Sequence, residues 1–260
     1  MIVVRSFLIA LTFLTRISLF TVKDYREDDF KKSVKFFPLV GGVLGGFYAF
    51  FAYILSSNGY VCLSSNIVAI FMIFLMFFLA GGLFFDGFMD TADGIFSGRE
   101  QERILEIMKD SRVGANAVMA FTLYILFLYA VISELKPNVL PAAMFCAPVI
   151  SHLTVAVSIK IFPYARKEGI GKMFEDKKGY SSLILPVLMT LLFIAPCGSC
   201  AIFALVAGLV FTCLFDKYLV KLLGGLTGDT YGATATLAFL LTLVVFLLAQ
   251  DTFLMQNIYP

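Results

Sequence analysis

Seven apolar blocks, each near the length that crosses a bilayer as a helix, divide this chain of 260 residues. They fall at about 34–56, 65–85, 114–133, 139–159, 181–196, 199–215 and 231–249. A hydrocarbon core needs ~20 residues of helix to cross it. The alternating apolar and polar pattern of a membrane β-strand is absent within the blocks. Helices are then the remaining way to satisfy a backbone in lipid. Blocks 181–196 and 199–215 are short and read as a tight hairpin broken at Pro196 and Gly198. Composition agrees, with 60% apolar and 15% charged residues, whereas soluble domains hold ~45–50% and ~25%. The expected fold is all-α: a polytopic integral membrane protein of about seven transmembrane helices, one domain over 1–260. The bilayer is its first partner. A net charge of +2 gives no support for nucleic acid as another.

Basic residues alternate along the chain. Lys23, Arg26, Lys31, Lys32 and Lys35 precede the first block; Arg99, Arg103, Lys109 and Arg112 separate the second from the third. Lys160, Arg166, Lys167, Lys172, Lys177 and Lys178 follow the fourth, and Lys217 and Lys221 the sixth. The intervening connections hold Lys136 alone. By the positive-inside rule the richer loops face the cytoplasm and the C-terminus faces outward.

The ten residues between Arg5 and Arg16 are too few to span, and Arg16 interrupts the apolar run of a signal peptide. An interfacial or re-entrant helix fits, acting as an anchor or carrying Arg16 towards an anionic substrate. Cys197 and Cys200, two of five cysteines, are spaced C-x-x-C without a second pair to complete a zinc site. They mark a structural turn or, on the outer face, a disulfide.

Chemistry concentrates at the inner edge of the second block. Asp86, Asp90 and Asp93 are spaced i, i+4, i+7, so a helix projects all three from one face. Carboxylates this close repel, and a membrane edge raises the cost of desolvating them. A cation resolves the conflict, and an oxygen-only ligand set suits Mg²⁺ or Mn²⁺. Ser97-Gly-Arg-Glu100 has the capping-box pattern and predicts a helix running to about Lys109, with Ile104, Leu105 and Met108 as its apolar stripe. A turn at Ser97-Gly98 would fold this helix back and return Lys109, Asp110 and Arg112 to the acids. Acids for metal and bases for phosphate describe a site for a metal-bound diphosphate.

Two further connections share that face. Leu223–Gly232 holds four glycines, among them Gly225 and Gly228, which allow backbone N–H groups to approach phosphate, and Asp229, which adds another metal oxygen. A flexible interhelical turn explains the same glycines. Tyr164–Gly169 places Arg166 in the most basic loop, suited to an anionic or nucleotide substrate.

D-G-x-x-D-x-x-D-G at 86–94, S-G at 97–98 and I-M-K-D-S-R-x-G at 107–114 resemble the cobalamin synthase family, the adenosylcobinamide-GDP ribazoletransferases. Phe13-Leu-Thr-Arg-Ile17, Phe37-Pro-Leu-Val-Gly41, Pro163-Tyr-Ala-Arg166 and Gly224–Asp229 extend the likeness from about residue 7 to 240. The resemblance implies a membrane transferase that joins adenosylcobinamide-GDP to α-ribazole or its 5′-phosphate and releases GMP. It implies Mg²⁺ on Asp86, Asp90, Asp93 and Asp229, with Asp110 and Asp229 as completing ligands or base. Arg16, Lys109, Arg112 and Arg166, with Gly225 and Gly228, would hold the substrate. It also implies a multi-pass protein of the cell (inner) membrane with its site on the cytoplasmic face. A second copy of the chain, or another enzyme of cobalamin biosynthesis, is an additional partner class. The chain departs from the family pattern at Phe84, where a histidine is common, at Thr236, where a glutamate is common, and at His152, the only histidine, where another basic residue is expected.

Other classes use related parts. A CDP-alcohol phosphotransferase expects D-G-x-x-A-R, and Asp86-Gly-Phe-Met-Asp-Thr lacks the A-R. An aspartate-rich prenyltransferase shares the metal–diphosphate chemistry. A cation transporter would carry its acids near mid-membrane on broken helices.

Overall fold

A computed structural model describes residues 2–17, 27–56, 61–166, 168–174 and 180–252. Lys23, Arg26, Lys167, Lys177 and Lys178 lie outside the described residues. In chain order the helices are α1 (Ile2–Leu14), α2 (Glu27–Ser33), α3 (Phe37–Leu55), α4 (Ser65–Ala80), α5 (Leu83–Phe96), α6 (Gln101–Ile107), α7 (Ala115–Glu134), α8 (Leu140–Ile161), α9 (Ile184–Ile194), α10 (Ser199–Leu223) and α11 (Gly228–Ala249). Among the described residues no β-strand occurs beyond one bridge, between Tyr164 and Leu226. The fold is all-α, as the hydropathy requires.

Five helical stretches are long and apolar enough to cross a membrane, and the count reaches six if α4 and α5 are one broken span. The expected seven are therefore not all full-length. Block 181–196 forms only the 11-residue α9, flanked by 3₁₀ turns. Its end is set by the 3₁₀ turn Ala195–Cys197 and by Gly198 at φ 79°. The hairpin thus breaks at Pro196 and Gly198, as their chemistry dictates. Cys197 and Cys200 are free thiols, with Cys200 fully buried.

Two other boundaries move. Block 65–85 does not run through: α4 stops at Ala80, and α5 leaves at 96° to it. Gly81 and Gly82 make the corner with φ of 75° and 80°, left-handed values that other residues rarely take. Block 199–215 runs on to Leu223, because no breaker intervenes before Gly224 at φ 75°. Asp216 does not stop the helix. Its carboxylate is buried and accepts hydrogen bonds from Ser158 on α8 (2.5 Å) and Thr234 on α11 (2.7 Å).

Helix α8 is the axis, buried almost throughout. Helix α3 lies against it through Gly41 and Gly45, a small-xxx-small pair. A Cβ on Gly41 would sit 2.5 Å from the Pro148 carbonyl oxygen, and one on Gly45 2.5 Å from that of Phe145. Lipid offers little hydrophobic drive between helices, so such close backbone contact and interhelical hydrogen bonds carry the association. Ser151 donates to Ala235 O (2.9 Å) and Tyr124 to Thr236 O (3.3 Å), tying α8 and α7 to α11. The rim turns Ile70, Phe74, Phe78, Leu123, Phe127, Phe203 and Val210 outward. That surface suits acyl chains.

The N-terminal helix α1 has 13 residues, too few to span. It buries Ile9, Ala10, Leu11 and Leu14, and its Arg5 pairs with Asp29 of α2 at 3.0 Å. Chain direction defines two ends of the bundle. At one, Lys136 binds Asp251 and Gln250, joining the end of α7 to that of α11. The other collects the start of α7, the end of α10 and the start of α11. Among the described residues that second end holds the basic side chains other than Lys136 and the N-terminal Arg5 and Arg16 sit with it.

The α3–α8 contact gives a paired test. Gly45→Val should cost roughly 3 kcal/mol, near the upper range of overpacking, and lower the thermal midpoint in detergent. Gly46 is exposed with nothing near its Cβ position, so Gly46→Val should leave the midpoint nearly unchanged.

Candidate functional site

The aspartate helix is placed by a second glycine contact. A Cβ on Gly87 of α5 would lie 2.7 Å from the carbonyl oxygen of Asp229 and 3.0 Å from its Cα. One helical turn on, a Cβ on Gly232 of α11 would lie 3.0 Å from Phe84 O. The two helices therefore cross backbone to backbone. Thr236 strengthens the crossing by donating to Phe84 O at 3.1 Å. Asp86, Asp90 and Asp93 share α5, and Asp229 stands in the first turn of α11. Asp90 feels Asp86, Asp229 and Asp93 as like charges and Arg166 as the opposing one.

Arg166 is brought in by a short backbone pairing. Leu226 N–H donates to Pro163 O (2.8 Å) and Ala165 N–H donates to Leu226 O (2.8 Å). Gly225 allows it, because a Cβ there would meet Ala165 N at 2.6 Å. Arg166 Nη2 then sits 2.9 Å from Asp229 Oδ2, with side-chain exposures of 14% and 23%. The Nη2–Oδ2 contact is an ion pair without the alignment of a hydrogen bond, and Nε is buried without an acceptor. That Nε–H is suited to an oxygen of an anion.

Asp229 is fixed from its own helix. Thr227 caps α11: Thr230 N–H donates to its hydroxyl (3.2 Å), and Thr227 N–H donates back to the Thr230 hydroxyl (2.8 Å). The Thr227 hydroxyl donates in turn to Asp229 Oδ2 (3.3 Å). Gly228 has nothing within 4 Å of its Cβ position, leaving the helix start open. The capping box expected at Ser97 does not form. Glu100 is the N-cap of α6 without a side-chain bond, and Ser97 donates to Gly94 O (2.6 Å) at the end of α5. Ser97 turns its hydroxyl to the end of α5, and α6 starts three residues later, after Glu100.

Helix α6 does fold back onto α5. A Cβ on Gly94 would lie 2.5 Å from Met108 Cγ and 3.1 Å from Ile104 Cγ2. Ile104 and Met108 are buried, as the stripe predicts. The return also brings Gly114 onto Asp93, whose Oδ2 lies 2.0 Å from the Cβ position there. A side chain at 114 would displace that carboxylate.

The K-D-S-R charges are arranged differently from the four acids. Arg112 grips Asp110 through Nε (3.0 Å) and Nη2 (2.6 Å) and through its backbone N–H (3.0 Å). The Arg112 side-chain bond, then its backbone bond, hold the Asp110 carboxyl down at about 2. A carboxyl lowered in this way stays ionised above the ordinary value of ~4 and loses its pairing only as pH falls towards 2. Near neutral pH the turn is unaffected. Lys109 is exposed. Arg16 packs its side chain over Gly81, with Cγ 2.8 Å from the Cβ position there, and its backbone N–H donates to Leu79 O at 2.8 Å.

Two cavities flank Phe84. One, of ≈150 Å³, opens beside Asp86 and Asp229. The other, of ≈40 Å³, lies deeper among Tyr48, Tyr124, His152 and Thr236. His152 bonds Pro148 O through Nδ1 (2.7 Å), leaves Nε2 without a partner, and packs tilted against Phe84 at 5.2 Å. Neither Gly87 as the crossing point nor Asp216 stands out in the sequence reading. A glycine directly after the first acid of a repeated-acid motif, and an acid inside an apolar run, are the signals each left.

The architecture is that of a multi-pass helical membrane protein with an acid- and arginine-bearing site at one end. The chain belongs to the cobalamin-5-phosphate synthase (CobS) family, whose model matches residues 6–247. Among its relatives, the adenosylcobinamide-GDP ribazoletransferase of Desulforamulus reducens is 39% identical over 95% of this chain and 97% of its own length. That of Desulfitobacterium hafniense is 35% identical over 92% and 95%. That of Caldanaerobacter subterraneus subsp. tengcongensis is 33% identical over 93% and 97%. No solved structure matches.

The crossing itself can be tested. Gly87→Ala adds one methyl and pushes α5 off α11, separating Asp86 and Asp90 from Asp229. Turnover should fall about 100-fold, the scale of an ~1 Å misplacement, and unchanged turnover would mean the crossing does not align the site.

Proposed function

We propose that this chain joins adenosylcobinamide-GDP to α-ribazole or its 5′-phosphate, giving adenosylcobalamin or its phosphate and GMP. The observation that carries the reading is the α5–α11 crossing, which sets the motif acids beside Asp229 and Arg166. Relatives that bear this transferase's name, matched over nearly their full length, support it.

In the reaction a ribose hydroxyl oxygen bonds to the phosphorus attached to cobinamide. The bond from that phosphorus to the GMP oxygen breaks, and GMP leaves with the electron pair. Arg166 offers its unpaired Nε–H to a phosphate oxygen, and the open start of α11 at Gly228 adds backbone N–H groups and the positive end of the helix. Arg16, over the α4–α5 corner, extends the basic rim. The hydroxyl proton passes to a carboxylate of the cluster. Asp110 is a poor acceptor, since Arg112 stabilises its ionised form.

Asp86, Asp90, Asp93 and Asp229 are an all-oxygen donor set that fits Mg²⁺ or Mn²⁺. Four acids against Arg166 leave negative charge that a divalent cation would offset. Among the described residues no three of them already form a ligand cluster, so these side chains would turn inward to hold the ion. Bound there, the ion would lower the charge on the diphosphate and stabilise the leaving phosphate.

The assay is GMP release from adenosylcobinamide-GDP and α-ribazole 5′-phosphate. Asp90→Asn keeps the side chain's size and removes one charge. It should reduce turnover by at least about 100-fold while the protein stays folded and membrane-inserted, and chelator should stop the wild type. Full activity of Asp90→Asn, or of wild type in excess chelator, would sink the metal assignment. We further propose that the site faces the cytoplasm across the inner membrane, on the strength of the basic residues at that end. Cysteines placed at Arg99 and Asp251 should then label from opposite sides; labelling from one side would overturn this.

A further inference from the structure

The ≈150 Å³ cavity beside Asp86 and Asp229 has a built shape. Phe13, Phe37, Phe84, Val155, Ile159 and Phe174 make its walls. Phe174, on the 3₁₀ turn Ile170–Phe174, is wedged by rings: Phe13 at 5.0 Å, Phe30 at 5.6 Å and Phe37 at 5.8 Å. The polar side chains on its lining are Asp86 and Asp229 at the mouth and Tyr231. An apolar chamber therefore stands directly behind the acids.

Size and polarity narrow its occupant. An apolar cavity of about 150 Å³ takes a benzene ring. Under the reaction proposed above, on which this inference rests, the substrates carry four ring systems: corrin, adenine, guanine and dimethylbenzimidazole. Corrin is far too large for the chamber. Adenine and guanine would bury amino groups and ring nitrogens against phenyl and aliphatic carbon, with a desolvation penalty for each unpaired group. The methylated benzo edge of dimethylbenzimidazole carries only C–H groups. We infer that the chamber receives the dimethylbenzimidazole ring of α-ribazole, benzo edge first.

That placement also orders the reaction. With the benzo edge among Phe84, Val155 and Phe174, the imidazole nitrogen and the ribose remain at the mouth. The attacking hydroxyl then lies beside the carboxylates, which take its proton, and the phosphorus is presented from outside by Arg166. Val155 and Ile159 on α8 and Phe84 on α5 set the depth available to the ring, so they are specificity-determining residues for the nucleoside. They would have little effect on the corrinoid.

The test separates the two Michaelis constants with full-length protein in proteoliposomes, reading GMP release. Val155→Phe fills the chamber and should raise the KM for α-ribazole 5′-phosphate at least roughly tenfold, the low end for a change of pocket size. The KM for adenosylcobinamide-GDP should stay within about twofold, since that substrate is bound outside the chamber. Val155→Ala only removes methyl groups, so it also decides the matter if Val155→Phe fails to accumulate. It should shift kcat/KM roughly tenfold towards the α-riboside 5′-phosphate of the longer naphthimidazole. A nucleotide KM unmoved by Val155→Phe, a preference unmoved by Val155→Ala, or a rise in the corrinoid KM instead would overturn the assignment while leaving the transferase intact. Wild-type protein that releases no GMP from these substrates would instead remove the transferase reading and the inference with it.

Discussion

Everything at the site depends on one crossing, in which the backbones of α5 and α11 touch at Gly87 and Gly232. Carboxylates repel, and nothing in their own chemistry would draw Asp86, Asp90 and Asp93 towards Asp229. The contact that holds them is made by backbone and needs no side chain. Thr236 adds a hydrogen bond to Phe84 O, and the Thr227 capping box fixes the turn that carries Asp229. Stability for the charged face thus comes from neutral groups beneath it. The same logic allows Gly114 to lie under Asp93.

The membrane end opposite the site has a different chemistry. There Lys136, Gln250 and Asp251 fasten α7 to α11 in a polar clasp at the surface. Between the two ends, Gly41 and Gly45 seat α3 on α8, and Ser151, Tyr124 and Asp216 bridge the helices. Individual links of this kind are modest, ~0.6 kcal/mol on average. They act on rigid helices, however, so small local contacts define the geometry of a site many residues away. Asp216 joins α8 three residues before Ile161 to α11 five residues after Asp229, and so ties together the two segments that deliver Arg166 and Asp229.

Periodic features were legible in the sequence and close backbone contacts were not. Length and hydropathy place the helices, and the i, i+4, i+7 spacing places three acids on one face of α5. Ile104 and Met108 foretell the face by which α6 returns. Hydropathy has no term for a left-handed corner, so the block through residue 85 hides the bend at Gly81 and Gly82. Nor does it register a satisfied carboxylate, so the sixth block is cut short at Asp216, inside a helix that continues. The Ser97 pattern matches a capping box in letters, yet the hydroxyl serves Gly94 O, and the box forms at Thr227 and Thr230. Which end of a helix a serine serves depends on tertiary direction, which four letters do not contain. Of the basic residues, Arg166 reaches the acids by the backbone pairing of 163–165 with 226, while Arg112 is taken by Asp110 two residues away.

Phe84, His152 and Thr236 show how distance along the chain conceals coupling. They lie on three helices, far apart in the sequence. In the fold the His152 ring packs tilted against Phe84 at 5.2 Å, and Thr236 donates to the Phe84 carbonyl at 3.1 Å. All three line the ≈40 Å³ cavity, and Phe84 also walls the larger chamber beside the acids. Substitutions at residues in contact are not additive, because each sets the space and hydrogen bonds available to the others. The chain's only histidine thus meets α5 from α8. Three positions far apart in the sequence form a single cluster in three dimensions, beside the helix that carries the acids.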